Sequence, residues 1–196
     1  TYLHLAAEAE LTRALVEAFG LLKARPRAFI NASAIGYYGN RGDQRIDESS
    51  AGGDDFLARL CADWEKQANQ ALALGVRTVC LRAGIVLGRE GGALPKMLLP
   101  FRMFVGGRLG SGRQWMSWIT REDLAGLALH ILTTDLSGPV NATTPNPVAN
   151  RDFTAALGRA LNRPTLFAVP SLALRLALGE MSGLLLDSQK VLPSKA

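Results

Sequence analysis

The chain has little of what metal centres and disulfide frameworks are built from. Its 196 residues include two cysteines, Cys61 and Cys80, and two histidines, His4 and His130. Neither cysteine belongs to a Cys-x-x-Cys pair or has a histidine nearby, and both sit in apolar patterns. They read as buried thiols of a reducing compartment, not as a disulfide or a metal site. With two histidines a His-based zinc centre is excluded, and no metal is expected. No apolar run reaches the roughly 18 residues of a membrane span. The most apolar stretch, 172–186, is broken by Arg175, Gly179, Glu180 and Gly183 and reads as a packed helix pair. The start carries no signal-peptide pattern. The net charge of +5 is scattered, with no block of consecutive Lys or Arg. That excludes a nucleic-acid stripe, while a mild positive field suits a phosphate-bearing ligand. The expectation is a cytoplasmic protein with a small-molecule substrate, off membranes and nucleic acids. Several catalytic motifs are also missing. Ser33 lies in no G-x-S-x-G and has no nearby histidine, which disfavours a serine hydrolase. No G-x-G-x-x-G or GK[ST] occurs. The acid pairs Asp47-Glu48 and Asp54-Asp55 read as caps and solvated charges, not a glycosidase pair.

What is present is organised around residues 31–39, Asn-Ala-Ser-Ala-Ile-Gly-Tyr-Tyr-Gly. They follow Arg27-Ala28-Phe29-Ile30, a short apolar run that reads as a buried strand over 27–33. A strand ending in small residues and a hydroxyl, then breaking at glycine, puts Ser33 at the carboxyl edge of a sheet, where open α/β sheets bind ligands. Ala32, Ala34 and Gly36 would let a flat ring approach the backbone, or the segment is an ordinary strand end and turn. Upstream, residues 6–24 carry a helical pattern. Downstream, 40–55 is a polar loop of the length that binding loops have. Phe56–Leu74 is a helix with Asp54 and Asp55 as cap and first-turn acids. Val76–Leu81 is a second buried strand leading into a loop, Gly84–Leu87. Helix, strand, helix, strand is the rhythm of a parallel sheet with crossover helices.

After Gly88 the pattern gives a helix to about Phe104, a glycine-rich loop 106–114, a short aromatic strand 115–119, a helix 121–132 capped by Thr120, a strand 139–142, a helix 150–161, a strand 166–169 and a last helical segment from Pro170. The glycine loop is either a turn or a backbone approach to phosphate, with Arg108 and Arg113 supplying charge. Arg82, at the end of the second strand, either pairs with an acid or touches a cofactor. The chain opens at Thr1, inside a helical pattern, and stops at Pro193-Ser194-Lys195-Ala196, which suggests a piece of a longer protein.

Taken in order, Ser33-Ala34-Ile35-Gly36-Tyr37-Tyr38-Gly39, Trp64-Glu65, Arg82-Ala83-Gly84-Ile85-Val86-Leu87-Gly88, Gly91-Gly92-Ala93, Pro100-Phe101-Arg102, Gly106-Gly107, Gly110-Ser111-Gly112-Arg113-Gln114, Trp118-Ile119, Asp123-Leu124, Gly138-Pro139-Val140-Asn141 and Pro145-Asn146-Pro147 resemble the extended and atypical short-chain dehydrogenase/reductases. The subgroup is the nucleoside-diphosphate-sugar epimerase-like, NAD-dependent epimerase/dehydratase group. The resemblance implies an α/β fold: the back half of a Rossmann-like parallel sheet over residues 1–88, then a smaller α+β substrate region over 89–196. It implies NADP or NAD as cofactor, with the nicotinamide between Ser33 and Gly84–Leu87. Cofactor contacts would be Ala32, Ser33, Arg82, Gly84, Ile85 and Val86. Tyr38, Arg102, Arg113, Gln114 and Trp115 would face the substrate, although of the two adjacent tyrosines Tyr38 is the one that reads as core. Helices 6–24 and 56–74 would form a homodimer interface. The family's Tyr-x-x-x-Lys is missing, because the corresponding helix reads Phe56-Leu57-Ala58-Arg59-Leu60-Cys61. Ser33 and Tyr37 are then the catalytic candidates, Tyr37 as acid. Two functions stay open: an epimerase or reductase acting on a hydroxyl- or carbonyl-bearing, nucleotide-sugar-like substrate, or a catalytically weak dinucleotide-binding regulator.

Overall fold

Residues 77–83, Arg-Thr-Val-Cys-Leu-Arg-Ala, form the middle strand of the molecule. Their β-branched and apolar side chains suit a strand covered on both faces, and five of the seven are buried. The computed structural model describes residues 2–196, with side-chain surroundings for all but 2–6, 180 and 181. In chain order the elements are α1 (Tyr2–Leu21), β1 (Ala28–Ala34), a 3-10 turn (Ile35–Tyr38), β2 (Arg45–Ile46), α2 (Phe56–Asn69) with a 3-10 extension (Gln70–Leu74), β3 (Arg77–Ala83) and β4 (Ile85–Leu87). There follow α3 (Ala93–Arg102), β5 (Gly107–Leu109), β6 (Trp115–Met116), β7 (Trp118–Thr120), α4 (Arg121–Thr133), β8 (Gly138–Ala142) and β9 (Val148–Ala149). The chain closes with α5 (Asn150–Leu161), β10 (Phe167–Val169), α6 (Ser171–Leu178), a 3-10 turn (Gly179–Ser182), α7 (Gly183–Leu186) and β11 (Lys190–Val191).

The central sheet runs β1-β3-β8, all parallel. Ser33 stands beside Arg82, and Arg82 beside Asn141. Because side chains alternate along a strand, the sheet has two distinct faces. On one, α1 and α2 lie side by side: Thr12 donates to Asn31 (3.2 Å) and accepts from Trp64 Nε1 (2.8 Å). On the other, Val79, Leu81, Val140 and Ala142 pack with Ile119 of β7 and Ile131 of α4 into one apolar core. Asp55 caps α2 by accepting from Ala58 N, and Thr120 caps α4 by accepting from Asp123 N.

Four features differ from the pattern in the sequence. Gly84–Leu87 is not a loop: Ile85–Leu87 is a strand paired with β7. The aromatic segment is two strands, parted at Ser117, pairing in opposite senses with β9 and β4. The glycine-rich stretch contains β5, which pairs with β10. A Cβ at Gly107 would run into the carbonyl of Phe167, so close strand approach fixes that glycine. Finally, the sheet is not confined to residues before 88, because β8 is its third strand.

The polar loop 40–55 receives the C-terminal segment. Its short strand β2 pairs with β11. Ser188 donates to Gly42 O (2.7 Å). Glu48 accepts from the backbone of Asn141, Ser194 and Lys195. These side chains tie the loop to strand β8 and to residues 188–195.

Candidate active site

Behind the carboxyl ends of β1 and β3 lies a continuous buried polar network. Arg82, 3% exposed, forks onto Glu65 of α2: Nε to Oε1 at 2.7 Å and Nη2 to Oε2 at 2.8 Å. Ser33 donates its hydroxyl to the same Oε1 (2.7 Å). The third guanidinium nitrogen donates to Tyr38 Oη (2.9 Å), and Tyr38, fully buried, donates to Asn141 (2.7 Å). The Tyr37 ring lies 3.5 Å below the guanidinium, at right angles to Tyr38. Every strong donor in this cluster has a partner, as a buried charge requires. Burial disfavours the charged form of Arg82, but the Glu65 carboxylate more than offsets it and the pKa rises. Burial likewise pushes the Tyr38 phenol above its ordinary value, against the opposing pull of Arg82.

In front of this network is a cavity of about 250 Å³. Its floor is small: Ala34, Gly36, Ala83 and Gly84, the last residues of β1 and β3 and the turns after them. Gly84 cannot be larger, since a Cβ would stand 2.5 Å from Ser117 O. Trp115 and Ser117 bound one side, and Asp55 and Asp187 another. Cys61 also lines it; burial, then Glu65, pushes its thiol up to about 11, so it stays protonated and weakly nucleophilic. A second, larger cavity of about 490 Å³, reached past α6 and α7, shares Asp55 and Asp187 with the first.

The expected site residues fall into three groups. Gly84, Ile85 and Trp115 line the cavity. Trp115 is held by its indole donating to Asp43 (2.8 Å) and by Lys190 lying 3.8 Å above the ring. Ser33, Tyr37, Tyr38, Arg82, Gln114 and Val86 do not line it. Ser33 faces Glu65, so its neighbour Ala34 takes the cavity side, as alternation demands. Tyr38 and Arg82 are interior, which moves them from ligand contact to support of the strand ends. The Tyr37 hydroxyl lies against Gly52. Gln114 is buried and ties Leu109 O to Leu185 O. Val86 packs on the sheet core. Ala32, Arg102 and Arg113 are exposed. Asp187 and Cys61 carry no motif and went unnoticed as site residues. Asp187 enters the cavity only because β11 returns across the molecule, and a lone acid in a loop leaves no trace in sequence.

Among proteins of known sequence, an epimerase family protein of Mycobacterium tuberculosis is 51% identical over 168 residues, which is 84% of this chain and 56% of that protein. Over that length the chain is similar to proteins named as epimerase family proteins. Its last residues, 169–196, match a domain of unknown function, DUF1731. Among solved structures, the human epimerase family protein SDR39U1, crystallised with NADPH, superposes with a TM-score of 0.89 at 36% identity, over 96% of this chain and 65% of that one. A nucleoside-diphosphate sugar epimerase from Corynebacterium glutamicum gives 0.75 at 36% identity, over 93% and 35%. The chain thus spans between half and two thirds of the length of the epimerase family proteins it matches in sequence. Among the described residues no helix is long and apolar enough to cross a membrane, and no set of three or more His, Cys, Asp or Glu side chains converges as for a metal.

Proposed function

We propose that this chain supplies the substrate side of an NADP(H)-dependent enzyme of the epimerase family, acting on a hydroxyl- or carbonyl-bearing small molecule of the nucleotide-sugar kind. The observation that carries the reading is the cavity at the carboxyl edge of parallel strands, floored by Ala34, Gly36, Ala83 and Gly84. It occurs in a fold shared with an epimerase family protein crystallised with NADPH. Small, apolar, backbone-rich flooring fits one end of a dinucleotide, the planar nicotinamide, because a flat ring needs close backbone approach. Ala34, Gly36, Ala83 and Gly84 would hold that ring. Bound NADPH would supply the hydride.

The chain's own groups set the surroundings. The Arg82–Glu65 fork fixes the ends of β1 and β3 with two parallel charge-assisted hydrogen bonds, so the floor is rigid. Trp115 offers an aromatic wall against which a sugar or base can lie. As parts of the same reading, the buried free thiols Cys61 and Cys80 suit a reducing cytoplasm. Exposed Leu11 and Leu15 on α1 and exposed Phe56 at the start of α2 are parts of the surface of a homodimer. Sedimentation of the intact protein as a monomer at all concentrations would remove the dimer.

The deciding experiment is binding followed by turnover. Intrinsic fluorescence of the intact protein is titrated with NADPH and with NADH. Nicotinamide absorbance is then followed with a panel of small aldehydes, ketones and nucleotide sugars. Saturable NADPH binding with turnover of at least one compound is expected; absence of binding to either dinucleotide would remove the reading.

A further inference from the structure

Reduction of a carbonyl leaves an oxygen that must take a proton, since an alkoxide is too costly in a water-poor cleft. The hydroxyl and thiol groups in and around the cavity are already engaged. The single hydroxyl proton of Ser33 is donated to Glu65. Tyr38 is enclosed between Arg82 and Asn141. Tyr37 packs beneath Arg82 and against Gly52, off the cavity. Ser117 donates to the carbonyls of Gln189 and Val191. The Cys61 thiol, at about 11, holds its proton too firmly.

Among the described residues, one titratable group in the cavity wall is left with a free role. We propose that Asp187 is the proton donor to the substrate oxygen, with Asp55 beside it as its electrostatic partner. This rests on the hydride-transfer reading above. Asp187 follows α7 and lines both cavities, so it meets the ring site on one side and solvent on the other. Its backbone N–H donates to Gly183 O (2.9 Å), and its carboxylate lies over Gly183, where a Cβ would come within 2.8 Å. Asp55 is fixed as the cap of α2, one oxygen on Ala58 N and the other against Gly39. Among the described residues the charged groups acting on Asp187 are Asp55 of α2 and Arg175 of α6. Burial, then the Asp55 charge, raises the Asp187 pKa, and Arg175 opposes them. A carboxyl raised in this way, near a like charge, holds its proton to a higher pH than an ordinary aspartate does.

The step balances. The carbonyl carbon accepts the hydride supplied by the reduced nicotinamide. The C=O π pair settles on oxygen, and that oxygen takes the proton from the Asp187 carboxyl. The carboxylate left behind recovers a proton from water through the larger cavity. In the oxidative direction the same carboxylate accepts the hydroxyl proton.

The test uses the intact protein and two readouts. In carboxyl carbon-13 NMR titrations, with the signal assigned by its loss in Asp187→Asn, Asp187 should titrate above an unperturbed aspartate and move to lower pH in Asp55→Asn. An ordinary or lowered midpoint, or one indifferent to Asp55→Asn, overturns the proposal. In turnover with the carbonyl panel, Asp187→Asn should lower kcat by about 100-fold or more, the lower end of general-acid effects, with NADPH affinity unchanged. Undiminished turnover overturns the role of Asp187 while leaving the enzyme reading intact. A wild-type protein that binds NADPH and turns over nothing removes the enzyme reading and this proposal together. Should Asp187→Asn fail to fold by circular dichroism, Asp55→Asn decides: the fall in kcat with rising pH shifts to lower pH, and an unmoved profile counts against Asp187.

Discussion

At the scale of single residues, the Arg82–Glu65 fork is the most consequential contact. Both side chains are nearly dry, so each charge depends on the other. Removing one partner strands the other, which costs about 3–5 kcal/mol. Urea denaturation should therefore show Glu65→Ala losing that much. Glu65→Gln, which still accepts from Ser33, should lose less. Asp187 contributes the opposite sign. Its pKa is raised in the folded state by burial and by Asp55, so the native protein binds more protons than the unfolded chain between the ordinary aspartate pKa and the raised one. Stability falls as pH rises through that window and stays lower above it. Asp187→Asn is therefore expected to be more stable than wild type at neutral pH, with the gap closing in acid, as thermal melts at several pH values can read. The acid partner of Arg82 was foreseeable, because a buried Arg at a strand end needs one. That Ser33 would turn to the same acid was not, because neither spacing nor periodicity says on which face of β1 a helix sits.

At the scale of elements, the strongly periodic ones were legible: β1, β3, α2, α4 and α5 lie close to where their patterns place them. Strands of two residues were not, since β2 and β11 exist only through each other, and no local signal describes a partner some 145 positions away. The glycine-rich stretch misled for a related reason. Its glycines serve close strand packing against β10, a demand made by tertiary structure. Two substitutions check what the elements require. Asp55→Ala removes the α2 cap and should cost about 1 kcal/mol. Val191→Ala, at a fully buried position of β11, should cost roughly 2 kcal/mol for two lost methyls and the space they leave. It should also raise hydrogen exchange at residues 40–50, which β11 holds down.

At the scale of the whole molecule, the cavity is assembled from segments far apart in sequence: the ends of β1 and β3, the cap of α2, the strand around Trp115 and the turn after α7. A ligand bound there joins all of them, so it should stabilise the protein globally. At NADPH about 100 times its Kd, linkage adds about 2.7 kcal/mol, which for a chain of this size corresponds to roughly 5–11 °C in Tm. Scanning fluorimetry with NADPH should show one cooperative transition moving upward. A split transition would mean that the two sides of the cavity melt separately. The α/β character of the protein was legible from its alternating helices and strands. The division near residue 88 was not a division of the sheet, because the strand from 138 goes back to β3.

The return of residues 187–195 to the loop at 40–50 also bears on how the chain reaches its native state. Hydrogen bonds such as Ser188 to Asn40 and Gln189 to Ile35 join positions about 150 apart. Closing so long a loop is slow compared with local helix formation. During synthesis, β1, α2 and β3 are made well before their last partners leave the ribosome. The wall bearing Asp187 then docks later than the sheet it closes, and a nascent chain that had not yet reached it would hold a formed sheet with an open, incomplete pocket. Competence would arrive after the core is built, set by the docking of residues 187–195 rather than by the sheet that forms before them.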